Sequence, residues 1–237
     1  VNAEPFKLEE RQPEKPPEAP LTGYGTLDIR LADCMEVMKT FPDGHFDLAI
    51  VDPPYGIGMA ANPIRQSHAP KAWDSAAPGP EYFAELRRVS KHQIVWGANH
   101  FIERLPLNSP CWIVWDKQQP HDFSLAAAEL AWTSFASPCK KFTAQPMQPD
   151  RIHPTQKPVA LYDWLLANYA KPGQRVLDTH MGSGSIAIAA HYFGAHLTAC
   201  EIDPEYFAAA MARINRETMQ FDLFASMSVV TPSGNEL

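Results

Sequence analysis

The chain of 237 residues is long enough for one sizeable core plus an accessory segment, and too short for three large domains. Its 45% hydrophobic, 20% charged and 11% aromatic residues exclude a disordered or collagenous chain. No run reaches the ~18 apolar residues of a membrane span and no charged-then-apolar leader opens the chain, so a cytoplasmic protein is expected. Twenty Lys and Arg against 27 Asp and Glu give a net charge of −7, which excludes coating of nucleic acid through bulk charge.

Any contact with DNA must therefore be local. The candidate basic groups are Arg87, Arg88 and Lys91; Lys140 and Lys141; and Arg151, His153 and Lys157, each of a kind that is commonly just a solvated face. Cys34, Cys111, Cys139 and Cys200 contain no CxxC pair, so reduced thiols are expected, with neither a zinc site nor a disulfide framework.

In chain order, residues 1–22 carry five prolines among Glu and Lys and predict an extended arm. Residues 26–31 alternate as a strand, 34–41 have helical spacing, and 46–51 form a buried strand after the turn Pro42-Asp43-Gly44. A helix over 80–89 is followed by short apolar strands at 93–96 and 111–115. An amphipathic helix over 159–170 stops at Pro172-Gly173. Strand 174–178, helix 185–193, strand 196–201 and helix 204–219 complete the pattern, with 220–237 as a tail. Such alternation predicts an α/β sheet with helices on both faces and ligands beyond the carboxyl ends of the strands.

Two loops carry chemistry. Asp178-Thr179-His180-Met181-Gly182-Ser183-Gly184-Ser185 lies between a strand and a helix, where two glycines allow close approach of a ligand. It lacks the Gly-Lys-Ser/Thr ending of a phosphate loop and the spacing of a dinucleotide fingerprint. Glu201, at the end of the next strand, suits the two hydroxyls of a ribose, so an adenosyl ligand without phosphates is favoured over a bare glycine turn. The second loop, Asp52-Pro53-Pro54-Tyr55, follows a buried strand. Its prolines fix the backbone, so that the Asp52 carboxylate and the Pro53 carbonyl can accept both N–H bonds of an exocyclic amine while Tyr55 stacks on the base.

Asp52-Pro53-Pro54-Tyr55, then His153-Pro154-Thr155-Gln156-Lys157-Pro158, then the loop from Asp178 to Ser185, together resemble the S-adenosylmethionine-dependent amino-group DNA methyltransferases. The order matches their β group, in which the catalytic loop precedes the cofactor loop, and the likeness runs from about residue 26 to about residue 216. Ile94-Val95-Trp96-Gly97-Ala98-Asn99-His100-Phe101 and Trp112-Ile113-Val114-Trp115-Asp116-Lys117 look most like small phage- or prophage-borne adenine methyltransferases. The resemblance implies a Rossmann-like methyltransferase sheet, mostly parallel with an antiparallel strand, helices on both faces, and a circularly permuted motif order.

Residue by residue, it implies a catalytic role for Asp52, Pro53, Pro54 and Tyr55. Asp33, with Cys34 beside it, matches the contact to the cofactor adenine, and Glu201, with Asp203 just beyond, the ribose acid. Asp178, Gly182, Ser183, Gly184 and Ser185 match the cradle of the methionine end, and Lys157 leads into the helix beside the cofactor. The usual Asp-Pro-Phe is Asp178-Thr179-His180 here, so His180 either replaces the aromatic contact or is a packed histidine. No target-recognition domain fits between Tyr55 and His153, where three strands and two helices are expected. Recognition is assigned to loops 57–74 and 138–151, with Lys140, Lys141 and Arg151 on DNA beside the active-site opening. A homodimer, frequent in the β group, would add a second DNA surface.

Adenine N6 is the expected target. Cytosine N4 offers the same chemistry but more often goes with Ser in place of Asp52; glutamine methylation would favour Asn there, and RNA is a further substrate class. A non-catalytic DNA-binding module of the same fold is the contrasting reading. Finally, Gln220-Phe221-Asp222-Leu223-Phe224 resembles a peptide that docks on the bacterial sliding clamp, against the alternative that its apolar residues pack on the sheet.

Overall fold

The structure is a computed structural model that describes residues 24–58, 76–106, 108–119, 126–146 and 151–227, with side chains described to residue 219. The expected arm at 1–22, most of the 57–74 loop, part of the 138–151 loop and the side chains of the clamp-like pentapeptide lie outside the described residues.

Eight strands form one sheet: β1 (Leu27–Leu31), β2 (Phe46–Val51), β3 (Ser90–Trp96), β4 (Trp112–Asp116), β5 (Ala128–Thr133), β6 (Lys140–Thr143), β7 (Arg175–Asp178) and β8 (His196–Glu201). Their order is β1-β8-β7-β2-β3-β5-β4-β6. Among the described strands β5 alone is antiparallel to its neighbours, β3 and β4, and every other pairing is parallel. Five helices accompany the sheet: α1 (Cys34–Lys39), α2 (Pro80–Val89), α3 (Val159–Tyr169), α4 (Ser185–Phe193) and α5 (Pro204–Met227).

The inner strands β2, β7 and β8 are buried over most of their length because both of their faces are covered. Along β2, Leu48 and Ile50 join the core under α3, α4 and α5, while Ala49 and Val51 join the core under α1 and α2. This two-residue period divides one strand between two helical layers. Trp96 and Trp115 meet edge to face in the first core, with centroids 6.5 Å apart, and Leu161 and Leu165 of α3 are fully buried beside them.

Two expectations are corrected. Between Tyr55 and His153 the described residues form four strands, one α-helix and two short 3₁₀ turns, Ala98–His100 and Ile102–Arg104, in place of three strands and two helices. The periodicity at 128–133 is masked by Glu129, which interrupts the apolar run. The last helix continues to Met227 instead of ending near Met219, so the backbone of Gln220-Phe221-Asp222-Leu223-Phe224 is helical. No proline or glycine intervenes to stop it.

At the centre of the sheet β7 and β2 lie side by side. β8 and then β1 continue on one side, β3 on the other, so the direction of winding reverses there. Ligands bind at such a reversal, beyond the carboxyl ends of the strands. Replacing Leu165 with Ala removes a fully buried side chain from the α3 layer and should cost about 2–5 kcal/mol in urea unfolding.

Candidate active site

The carboxyl ends of β1, β8, β7 and β2 each deliver an acidic residue, and each is held differently. Asp33 caps α1: its Oδ1 accepts the backbone N–H groups of Met35 at 2.8 Å and Glu36 at 3.3 Å. Glu201 accepts the N–H of Gly182 on Oε2 and that of Asp203 on Oε1, both at 2.9 Å, and thereby ties the glycine loop to the end of β8. Asp203 in turn caps α5 by accepting the N–H groups of Glu205 and Tyr206.

Asp178 is buried and accepts the N–H of His180 at 3.0 Å. Burial, with the nearby Asp52 and Glu201 carboxylates, pushes its pKa up to about 7, against the pull of the His180 N–H and Lys157.

Gly182 and Gly184 both adopt left-handed backbone, with φ of 54° and 74°. A Cβ on Gly182 would have no neighbour closer than 3.8 Å, the His153 ring, whereas one on Gly184 would press Ile214 of α5 at 2.7 Å. Gly182 thus keeps the mouth of the loop clear, and Gly184 lets α5 close under it. Arg213 of α5, also buried, donates to the Ser183 carbonyl at 3.1 Å and to Ser185 Oγ at 2.9 Å. Ser183 and Ser185 are therefore committed to supporting the loop, and Ser185 Oγ also donates to the Lys157 carbonyl at 2.7 Å.

His180 is packed: its ring lies edge to face with Tyr82, centroids 5.5 Å apart, and its Nδ1 is 2.9 Å from Thr179 Oγ1, which also meets Tyr82 Oη at 2.6 Å. Burial lowers the His180 pKa to about 4, so the ring is neutral. Cys34 is largely enclosed, and burial with Asp33 nearby pushes its thiol pKa up to about 12.

In the second loop, Tyr55 Oη donates to Asp52 Oδ1 at 2.7 Å. The Tyr55 ring is stacked with His100, centroids 5.1 Å apart and planes 17° from parallel. A Cβ on Gly97 would lie 2.0 Å from Cε1 of that ring, so glycine is required for Tyr55 to lie against the end of β3.

Lys157 Nζ donates to Asp52 Oδ2 and also lies 3.1 Å from Glu129 Oε2, whose other oxygen pairs with Lys117 Nζ at 2.5 Å. Lys157 is only 3% exposed, and its ammonium sits 5.4 Å from the Trp96 ring centroid. Burial opposes its charge, but Asp52 and Glu129 outweigh that and raise its pKa. Burial also opposes charge on Glu129, where Lys157 and Lys117 prevail and lower its pKa. The head of Lys157 thus meets the Asp52 loop, and its carbonyl meets the cofactor-type loop.

The basic residues expected on DNA each have a partner within the chain. Lys140 Nζ donates to Asn168 at 2.8 Å and lies 5.1 Å from the Tyr169 ring, both at the far end of α3. Lys140 opens β6, so it stands at the amino end of that strand. Lys141 alternates to the other face and pairs with Asp116 at 3.3 Å, and Arg151 donates to the Pro154 carbonyl.

The loop strings and Glu201 were readable from sequence. Glu129, the Lys117 pairing, Gly97 against Tyr55, and Arg213 under the glycine loop were not. A charged residue inside an apolar strand, as in Ala128-Glu129-Leu130-Ala131-Trp132, was the available signal for Glu129.

A family profile described as DNA methylase, of the N6/N4 type, matches residues 91–212, just over half of the chain. The methylase YubD of Escherichia coli K12 is 25% identical over 207 residues, covering 77% of this chain and 87% of that protein. Among solved structures, the M1.HpyAVI–SAM complex aligns with a TM-score of 0.56 at 20% identity, covering 80% of this chain and all of that one. The PvuII DNA methyltransferase (cytosine-N4-specific) aligns with a TM-score of 0.59 at 12% identity, covering 84% and 93%. At these identities the structural likeness concerns the fold.

Two expected outcomes test the site. Gly97→Ala should displace the Tyr55 ring, visible as loss of the Tyr55–His100 stack in a crystal structure. Asp178 has a folded pKa above the ordinary carboxylate value, so its contribution to stability is complete below about pH 4 and is lost as pH rises through about 7. Urea unfolding of the cofactor-free chain should show that decline, and Asp178→Asn should flatten it.

Proposed function

The chain belongs to the N6/N4 DNA methylase family, and from that premise we propose that it transfers a methyl group from S-adenosylmethionine to the N6 amine of adenine in DNA. The observation that carries this reading is the Asp52 carboxylate at the carboxyl end of β2, directly bonded to Tyr55 and standing beside β7, whose end opens the glycine loop.

The loop fits this cofactor. Gly182 leaves an open cradle, and Asp178, Glu201 and Asp33 gather carboxylates where a cationic, diol-bearing molecule would lie. Glu201, with lone pairs remaining beyond its two backbone bonds, is assigned to the ribose hydroxyls, and Asp33 to the adenine edge. Asp178 is assigned to the positively charged methionine end, where a cation favours its ionised form. When bound, the cofactor supplies a methyl group already activated on a sulfonium.

Adenine N6 is a weak nucleophile because its lone pair is delocalised into the ring. Asp52 and the Pro53 carbonyl accept its two N–H bonds and favour the tetrahedral nitrogen on which positive charge develops. Tyr55 stacks on the extruded base, and Pro54 keeps the loop backbone rigid. Most of the acceleration comes from placing amine and methyl in line. Asp52 need not be a strong base, since the amine proton becomes acidic only after transfer. His180, packed against Tyr82, supports the loop instead of supplying the aromatic contact found in relatives of the Asp-Pro-Phe type.

Cytosine N4 is the second reading, favoured by the likeness in fold to the PvuII enzyme; an acidic residue at position 52 supports adenine over it. Sequence recognition is assigned to the 57–74 and 138–151 loops, with Lys140, Lys141 and Arg151 as phosphate contacts. We further propose a homodimer as the source of a second DNA surface. Docking of residues 220–224 on a sliding clamp would require the last turns of α5 to unwind, and a 219–227 peptide titrated with clamp would test it.

Nucleoside analysis of DNA incubated with the protein and labelled cofactor should yield N6-methyladenine; N4-methylcytosine would select the second reading, and no label the non-catalytic one. Asp52→Ala should abolish transfer while leaving cofactor binding within a few-fold. Glu201→Ala should weaken cofactor binding by about 1–3 kcal/mol in calorimetry. Loss of the cofactor in the first variant, or normal binding in the second, would reverse the roles assigned to the two loops.

A further inference from the structure

Behind Asp52 lies a row of charges of alternating sign, Asp52, Lys157, Glu129 and Lys117, in which Lys157 is buried and the other three are partly buried. Its members come from the end of β2, the segment before α3, the first turn of β5 and the residue after β4. β5 runs against its neighbours, and this is what puts Glu129, its second residue, at the edge where the other strands end. Lys157 is enclosed by two carboxylates and the Trp96 ring.

A carboxylate that must accept an amine proton bond, and then stabilise positive charge on that amine, is poorly served by a lysine bound to it alone. The lysine occupies one oxygen, and its charge offsets the carboxylate field at the substrate. A second carboxylate on the same ammonium removes both handicaps. We infer that Glu129 is a positioning residue of the methyl transfer: it shares the Lys157 ammonium, so that Asp52 can turn an oxygen to the incoming amine without leaving a buried cation uncompensated. Lys117, 12% exposed at the outer end of the row, balances Glu129 in turn. This inference rests on the reading of Asp52 as the acceptor for the target amine.

Gln at position 129 keeps the shape and removes the charge, whereas Asp keeps the charge and is one methylene short. A packing role therefore favours Gln, and the charge role favours Asp. On the full chain, kcat and KM for DNA, cofactor Kd and melting temperature are measured for the parent, Glu129→Gln, Glu129→Asp, Lys157→Met and the Lys157→Met/Glu129→Gln pair.

Glu129→Gln should lower kcat about tenfold or more, with KM and Kd within about threefold. Glu129→Asp should retain more activity than Glu129→Gln, and in the Lys157→Met background Glu129→Gln should cost less than about threefold, because the harm travels through the Lys157 charge. An unchanged kcat in Glu129→Gln, a Gln variant more active than the Asp one, or the same loss in both backgrounds would overturn the inference.

Should Glu129→Gln fail to fold, a crystal structure of the parent chain with a cofactor analogue and adenine-containing DNA decides: Lys157 moved onto Glu129 with Asp52 on the amine supports the inference, and Lys157 still held by Asp52 overturns it. A parent chain that transfers no methyl group to DNA overturns the functional reading itself and the inference with it, an outcome told apart by the parent assay alone.

Discussion

Like charges crowded at one edge of a sheet repel, and this constraint organises the molecule. Asp33, Glu201, Asp178 and Asp52 stand at the ends of four adjacent strands, and each has its own compensation. Asp33 draws on the free N–H groups of α1, and Glu201 on two loop N–H groups. Asp178 holds its proton to about pH 7, while Asp52 is answered by a buried lysine. A cationic ligand relieves the crowding where it is greatest, so the edge is electrostatically prepared for such a ligand before it arrives.

The arrangement also explains which parts of the protein were readable in the sequence. Local signals sufficed where a strand was bounded by turn residues: β2 and β8, and α2 and α4, fall where their periodicity puts them. Asp52-Pro53-Pro54-Tyr55 and the Gly182/Gly184 loop declare themselves through backbone chemistry that few other residues supply. The long-range partners were unreadable. Glu129 reaches Lys157 through a reversal of strand direction that a single sequence does not encode locally, and Arg213 supports Ser183 from a helix one strand away. Strand alternation likewise turns Lys140 to Asn168 of α3 and Lys141 to Asp116 of β4, two separate contacts that their adjacency in sequence does not announce.

The two loops are shaped by their second neighbours as much as by their own residues. Tyr55 is shaped by the absence of a side chain at Gly97, and the glycine loop by what α5 presents beneath it. Buried polar groups of this kind leave little freedom for substitution because each satisfies another. The serines of the loop illustrate the point: their hydroxyls are engaged by each other, by Arg213 and by the Lys157 backbone.

The edge pairing of β1 with β8 joins opposite ends of the chain, Leu27 lying beside Leu197. During synthesis, β1 therefore emerges long before its partner exists, and its far edge must wait in a half-made sheet. The Asp52 loop and the strands that follow it can assemble early, but Asp33 and Glu201 become neighbours only after about 170 further residues have left the ribosome. Ordering by topology alone thus makes closure of that edge a slow, high-contact-order step of folding.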